Sequence, residues 1–415
     1  MVKLGARSTS VGYLVVGGIA VAGTIAGTLS ATAATTLGAS GNGGLITAVF
    51  LALLLVCAGI AAPWTERLAA RRGPLKTFAW AQAGVAVSWI ITGIIVATTD
   101  EQIVVLLIAA PVFGLLSGVT AVLTPIVTRT YFARTSIAAS MSWRSAVSGL
   151  AAVAGAIIGG SIISATDPAA GVIANGLLTI PLAVFVMRVA PLREPHPPRA
   201  DRGQPMRRIL GSLRTNARLR QVVILAVAST LLVVPMISMI VPILNSVDHA
   251  PLPSGAGLVL AGIGAGRVVT PLVEGRVERR WGDLQASLWA LVGAAVFMFA
   301  FSLSALLPLS EFDLVAWTMI GFGLGACRFT YRSLMIGAAA AAGSSEPGGD
   351  EMEGLAAVTT IGVFAAPIGV LAWGVMIDVT SSPVTVAVGA SGIVLVAAFM
   401  GLALRKKSAL SGDPT

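Results

Sequence analysis

The chain has 415 residues, 56% of them hydrophobic and 11% charged, with 47 glycines. That is too apolar for a soluble protein of this length and marks a polytopic membrane protein. The net charge of +9 would point to nucleic acid in a soluble chain, but here the basic residues gather in the gaps between apolar runs, so no nucleic-acid partner is expected.

A bilayer core about 30 Å thick needs about 20 apolar helical residues, and twelve stretches meet or approach that length. Spans one to six cover Val11 to Leu37, Gly44 to Pro63, Thr77 to Thr98, Ile103 to Thr128, Ser136 to Ser164 and Ala170 to Val189. Spans seven to twelve cover Val222 to Leu244, Gly255 to Leu272, Gln285 to Leu307, Leu314 to Ala341, Gly354 to Ile377 and Pro383 to Leu404. The first run is too long for a signal-peptide core and reads as a retained span. Cys57 and Cys327 lie inside apolar runs and read as small buried hydrophobes, not as a disulfide or metal pair.

Lys and Arg in short loops stay on the cytoplasmic side. With the N-terminus inside, the outward loops carry Asp100, Glu101, Asp167, Asp248, Glu311, Asp313 and Asp378 but no Lys or Arg. Arg67, Arg71, Arg72, Lys76, Arg129, Arg134, Arg276, Arg279, Arg280, Arg405, Lys406 and Lys407 then all fall on the inner side. The expectation is a multi-pass protein of the cytoplasmic (inner) membrane, monomeric, with both ends cytoplasmic and its basic face on anionic lipid.

The longest polar segment divides the chain into a six-helix bundle over 1–190, a cytoplasmic linker over 191–221, a second six-helix bundle over 222–404 and a cytoplasmic tail over 405–415. Within the linker, Met206, Ile209, Leu210, Leu213 and Ala217 recur at helical spacing among Arg207, Arg208, Arg214 and Arg218. A basic amphipathic helix of that kind lies at an anionic leaflet; a regulatory docking site is the sharper alternative.

The two halves repeat. Arg67-Leu68-Ala69-Ala70-Arg71-Arg72-Gly73 aligns without gaps on Arg276-Val277-Glu278-Arg279-Arg280-Trp281-Gly282, an offset of 209 (282 − 73), and Trp80 meets Trp289 at the same offset. Phe113-Gly114-Leu115 in span four likewise meets Phe322-Gly323-Leu324 in span ten. A duplicated six-span unit is the common architecture of secondary transporters, with the binding site between the halves.

These loops also resemble a known signature. GRVERRWG, Gly275 to Gly282, and ERLAARRG, Glu66 to Gly73, are similar to the G-x-L-x-D-R-x-G loop of the major facilitator superfamily, found between spans two and three and again between eight and nine. The resemblance covers essentially the whole chain. It implies an all-α membrane protein of twelve transmembrane helices in two pseudo-symmetric six-helix bundles, working by rocker switch, with spans one, four, seven and ten around the cavity.

The departures bear on mechanism. The motif's acid, which in relatives bears on the start of span eleven and stabilises one closed state, is Ala70 in one copy and Arg279 in the other, and its first glycine is Glu66 in the first copy. Its role is therefore expected to be inverted, with Glu351 or Glu353 at the start of span eleven facing Arg67 or Arg71, in a gate that includes Gly73, Gly275, Arg279, Arg280 and Gly282. Ala110 and Pro111 stand where many proton-coupled relatives carry an arginine. The run AGAIIGG, Ala154 to Gly160, is similar to the exporters' glycine-rich motif but has Ala156 at the usual proline, and glycine-rich membrane helices also serve simply as close-packing surfaces.

There is no phosphate-cradling G-x-x-x-x-G-K-[ST] loop, no catalytic constellation and no metal-ligand cluster, so neither an enzyme nor a cofactor is expected. GIGAGR, Gly262 to Arg267, lies mid-span and reads as packing glycines. Pro235 and Pro242, seven residues apart in span seven, form a candidate hinge or a static kink.

Charges inside spans are costly and default to function. Arg328 and Arg332 in span ten stand four residues apart on one helix face, with Tyr331 beside them; Arg267 lies at similar depth in span eight and Arg144 toward the inner end of span five. These arginines form the candidate substrate site for an anion. The alternative is that Arg144 and Arg332 snorkel to the interface and Arg267 bonds backbone carbonyls. Glu274 and Asp378, at span ends, are the candidates for coupling to a proton or other ion. The expected activity is secondary active transport of a small organic anionic or amphiphilic compound by alternating access, export favoured over import. A broad-specificity drug exporter with a mainly apolar pocket is the alternative.

Overall fold

The computed structural model describes residues 18, 43–131, 143, 146–158, 168–189, 211, 213–214, 216–245, 254–306, 313–327, 334 and 351–411. Within them the regular structure is helical, and every predicted span carries described helical residues, though of the first only Gly18 is described. Seven described helices are long and apolar enough to cross a bilayer, or eight when a bent pair is counted as one span. Spans two to four are the helices Gly43–Arg72, Pro74–Thr98 and Gln102–Tyr131, and span six is Pro168–Val189. Spans eleven and twelve are Glu351–Val379 and Ser382–Ser411. Helix is what a lipid-facing chain must form, because each backbone N–H and C=O is then satisfied within its own segment.

Hydroxyls inside the spans obey the same constraint by bonding carbonyls on their own helix. Thr65 donates to Ala61 O at 2.8 Å, Thr179 to Asn175 O at 2.9 Å and Thr230 to Ala226 O at 2.7 Å. Where hydroxyls reach further, they tie helices together. Ser302 of span nine donates to Pro383 O of span twelve at 2.8 Å, and Trp317 Nε1 of span ten donates to Ser304 Oγ at 3.0 Å.

Two sets of packed side chains follow the two halves. The larger core draws on spans seven to twelve and includes Met236, Leu291, Met298, Phe301, Trp317 and Trp373; Ala48 of span two also joins it. The first half is held by Phe50, Leu106 and Ala110, and by Trp89 of span three stacked on Phe113 of span four with ring centroids 3.9 Å apart. Cys57 and Cys327 are unbridged and half-buried, and Cys327 packs against the larger core, as their apolar surroundings predict.

Prolines set two of the departures from straight helix, and a glycine sets another. Span seven runs as Ala217–Ser238, turns at Met239 and resumes as Ile240–Asn245. The turn lies between the two candidate hinge prolines: Pro242 has no N–H to offer Ser238 C=O, so the ladder loosens there. Asn216 starts this span by accepting from Arg218 N and Leu219 N, both at 3.0 Å. Spans eight and nine form one run, Ser254–Leu306, whose backbone leaves helical geometry at Gly282. Its first half bends by 49° between Gly257–Val273 and Gly275–Gly282, just past Pro271, which leaves Arg267 C=O without its usual donor.

Candidate functional site

The two loop motifs end on the same backbone device. Gly73 has φ 87°, ψ 143° and Gly282 has φ 73°, ψ 168°; these are the two described glycines with positive φ, and no other described residue has one. Gly73 N still donates to Ala69 O at 2.9 Å while Gly73 O accepts from Thr77 N at 3.1 Å, so one residue closes span two and starts span three. The repeat read from sequence is thus a repeat of conformation.

Arg67 and Arg71 before the first loop glycine, and Arg279 and Arg280 before the second, are exposed. Arg279 Nε donates to Gly275 O of its own helix at 2.7 Å, and the Arg280 guanidinium sits 5.4 Å from the centroid of the Trp281 ring. Trp281 in turn lies 5.6 Å from Trp289. Gly275 has open space where a Cβ would stand. Glu351 and Glu353 open the span-eleven helix and Glu274 lies in the span-eight helix; their side chains fall outside the description.

Arg267 is the described member of the candidate anion site, and glycines position it. A Cβ on Gly262 would collide with Thr318 O, and one on Gly266 with Phe322 O, so spans eight and ten meet backbone to backbone there. Gly325 faces Ile263 O in the same way, and Thr270 Oγ1 bridges the pair by donating to Gly266 O at 3.1 Å and Gly325 O at 3.3 Å. Gly264 and Val268 instead face span five, where a Cβ on Gly149 would stand 2.7 Å from Gly264 O and 2.9 Å from Val268 Cγ2. At about 100° per residue, Arg267 stands between the face that meets span ten and the face that meets span five. It is half-buried, and its Nε is shut off from solvent with no hydrogen-bond partner. The expected alternative, a guanidinium satisfied by backbone carbonyls, does not hold for that atom. Arg328, Tyr331, Arg332 and Arg144 lie outside the described residues.

The structure also gives Asp378, a coupling candidate in the sequence, partners that charge and motif reading did not supply. Asp378, at the end of span eleven, accepts a hydrogen bond from Leu45 N at the start of span two at 2.9 Å. Gly44 and Gly374 permit this approach, since a Cβ on Gly44 would collide with Asp378 Oδ1 and one on Gly374 with Ala48 Cβ. One turn further in, Thr47 is fully buried with its hydroxyl unpartnered. The signal for these sites was the spacing of small residues, Gly44 with Ala48 and Gly262 with Gly266, which marks close helix crossings.

Apolar helices that meet through spans two and eleven and through spans five and eight, with the half-buried Arg267 beside the second contact, have the build of a membrane carrier. The sequence agrees: residues 12–345 match the family described as Major Facilitator Superfamily, and the chain belongs to that superfamily. It is a multi-pass membrane transporter. Among solved structures it is similar to an aspartate-to-alanine variant of the nucleoside transporter NupG, at 12% identity and a TM-score of 0.72, covering 94% of this chain and 99% of that one. It is similar also to the xylose transporter XylE from E. coli in a partially occluded inward open conformation, at 13% identity and a TM-score of 0.68, covering 95% and 98%. At these identities the likeness is one of fold. No curated protein matches the chain.

Proposed function

We propose that this transporter moves a small organic anion, or an amphiphile with an anionic group, across the cytoplasmic membrane by alternating access, between bundles formed by 1–190 and 222–404. The observation that carries this reading is the buried, unpartnered Nε of Arg267 between spans five, eight and ten. A guanidinium cannot discharge itself by losing its proton, so an unpaired N–H in a low-dielectric junction is satisfied best by an acceptor that arrives with the substrate. Guanidinium groups suit carboxylate and phosphate because they donate two parallel hydrogen bonds. Arg328, Arg332 and Tyr331 of span ten, and Arg144 of span five, complete the proposed site. Export, coupling to a proton or other ion through Glu274 or Asp378, a monomeric state and cytoplasmic termini belong to the same reading.

The second reading, a drug exporter with an apolar pocket, is supported by Val104, Ile108, Val112 and Leu115, exposed apolar side chains along one face of span four. Flux into proteoliposomes of matched anionic and cationic compounds, with and without a pH gradient, separates the two. The anion reading expects anion flux that falls in Arg267→Ala and Arg328→Ala and is partly kept in the lysine variants. Anion flux unchanged in both alanine variants overturns it and favours the apolar pocket.

A further inference from the structure

The contact between spans two and eleven joins the two halves at the end of the molecule that carries Asp100, Glu101 and Asp378, the end opposite the arginine-rich loops. At its exposed end a carboxylate of span eleven caps the start of span two. Asp378 Oδ2 accepts from Leu45 N at 2.9 Å, one of the first N–H groups of the helix Gly43–Arg72, which no earlier residue of that helix can satisfy. The negative charge also sits where the helix dipole favours it. The fit is built in: Gly44 has no Cβ to push the carboxylate away, and Gly374 lets Ala48 close on span eleven one turn below.

The same contact carries a built-in opposing cost. Thr47 lies with its hydroxyl fully buried and unpartnered, although Thr65 of the same span and Thr380 at the end of span eleven bond the carbonyl four residues back. A buried unpaired hydroxyl is costly; Thr47 stands one turn from Gly44, whose Cβ position meets Asp378, and parting of the two spans there is inferred to return the hydroxyl to water. One polar group therefore gains from closure and its neighbour gains from opening.

We propose that Asp378, Gly44 and Thr47 form a releasable latch that holds this end of the carrier closed, with Asp378 as its positioning residue. The latch works by capping a helix of the opposite half, and its release is a step toward opening on this side. The two loop motifs that resemble the family's inner gate lack their acid, at Ala70 and Arg279, so the acid-to-helix-end contact between halves stands here at the other end of the bundle.

The test needs no substrate and no assigned orientation. In purified, detergent-solubilised protein with Cys57 and Cys327 replaced, a thiol reagent reports Thr47→Cys when spans two and eleven part. A second cysteine at Met298, fully buried in the larger core, reports loss of the fold. Helix N-caps are worth about 1 kcal/mol, which is about a fivefold shift, so labelling at position 47 should rise about fivefold in Asp378→Ala and less in Asp378→Asn, whose amide oxygen still accepts. Gly44→Ala, which displaces the carboxylate while leaving it charged, should match Asp378→Ala. Position 298 should stay protected throughout. Equal labelling at 47 in all backgrounds overturns the latch, and so does labelling that rises in step at 298, since Asp378 would then hold the fold and not a state of it.

Discussion

Gly73 and Gly282 stand 209 residues apart (282 − 73) and share one backbone conformation, φ 87° with ψ 143° and φ 73° with ψ 168°. That region is closed to side chains by steric clash and is essentially glycine's alone. Each glycine ends a helix that the next span must leave in the reverse direction, so the requirement is geometric and is met twice.

Gly73→Ala and Gly282→Ala should therefore each destabilise the protein by about 1 to 3 kcal/mol, read as a lower midpoint in thermal melts. Gly275, which begins the second motif copy, is helical and has open space at its Cβ position. Gly275→Ala should be neutral or raise stability by up to about 1 kcal/mol through helix propensity. A melt in which all three behave alike would mean that the left-handed turn is not what these positions are selected for.

The crossing of spans eight and ten gives a second test. Gly266 and Gly325 face backbone atoms of the partner helix, with no flexible side chain that could move aside. Gly266→Val and Gly325→Val should each cost at least the 1 to 3 kcal/mol typical of overpacking. Gly401, with nothing within 4 Å of its Cβ position, should tolerate the same change, and melting of detergent-solubilised protein compares the three.

The helical spans from the second onward and the packing role of Gly262 and Gly266 were legible because hydropathy and small-residue spacing record them directly. Register between helices was not. Phe113-Gly114-Leu115 aligns with Phe322-Gly323-Leu324 at offset 209, yet Gly114 packs on Leu54 O while it is Gly325 that packs on Ile263 O. Since Leu54 and Ile263 keep the offset of 209, spans four and ten are displaced by two residues, an offset of 211 (325 − 114). A membrane span is apolar on its lipid side and its protein side alike, so the pattern that fixes the face of a soluble helix is nearly silent here. For the same reason Asp378 showed as a charge at a span end while its partner, a backbone N–H of another span, left no trace in sequence. The break in span seven was legible from its two prolines, and only its place at Met239 was not.

Arg267 separates function from stability. At offset 209 its first-half counterpart is Ala58, against which Gly118 packs closely, so the fold accepts alanine there. An unpartnered buried N–H costs about 1 to 3 kcal/mol, and Arg267→Ala should melt at or above the temperature of the parent. A clear fall in melting temperature would assign the guanidinium a structural partner and remove its claim on the substrate.

Orientation is testable with exposed positions at the two ends. Asp100 and Arg279 are both exposed, and the basic loops are expected to face the cytoplasm. In intact cells, Asp100→Cys should react with a membrane-impermeant thiol reagent, and Arg279→Cys should react only after permeabilisation. The opposite pattern would invert the sidedness assigned to every gate.

The inner gate is proposed to use the acids that the loop motifs lack. Glu351 and Glu353 lie in the first turn of the span-eleven helix, Glu351–Val379, and span two ends on the exposed Arg71 and Arg72. Acids at a helix N-terminus are favoured by its dipole, and an exposed pair contributes little unless a conformational change brings it together. Its effect should therefore appear in the balance of states and in flux, with melting temperature nearly unchanged. Glu353→Arg and Arg71→Glu should each slow transport, and the two together should recover it, since the pair is restored with its charges exchanged. The double variant being no faster than the slower single one would rule the pairing out. Combined with Asp378→Ala, Glu353→Arg should partly cancel the shift in accessibility at position 47, because one change loosens each end of the same carrier. Labelling at that position equal to that of Asp378→Ala alone would mean that the ends open independently.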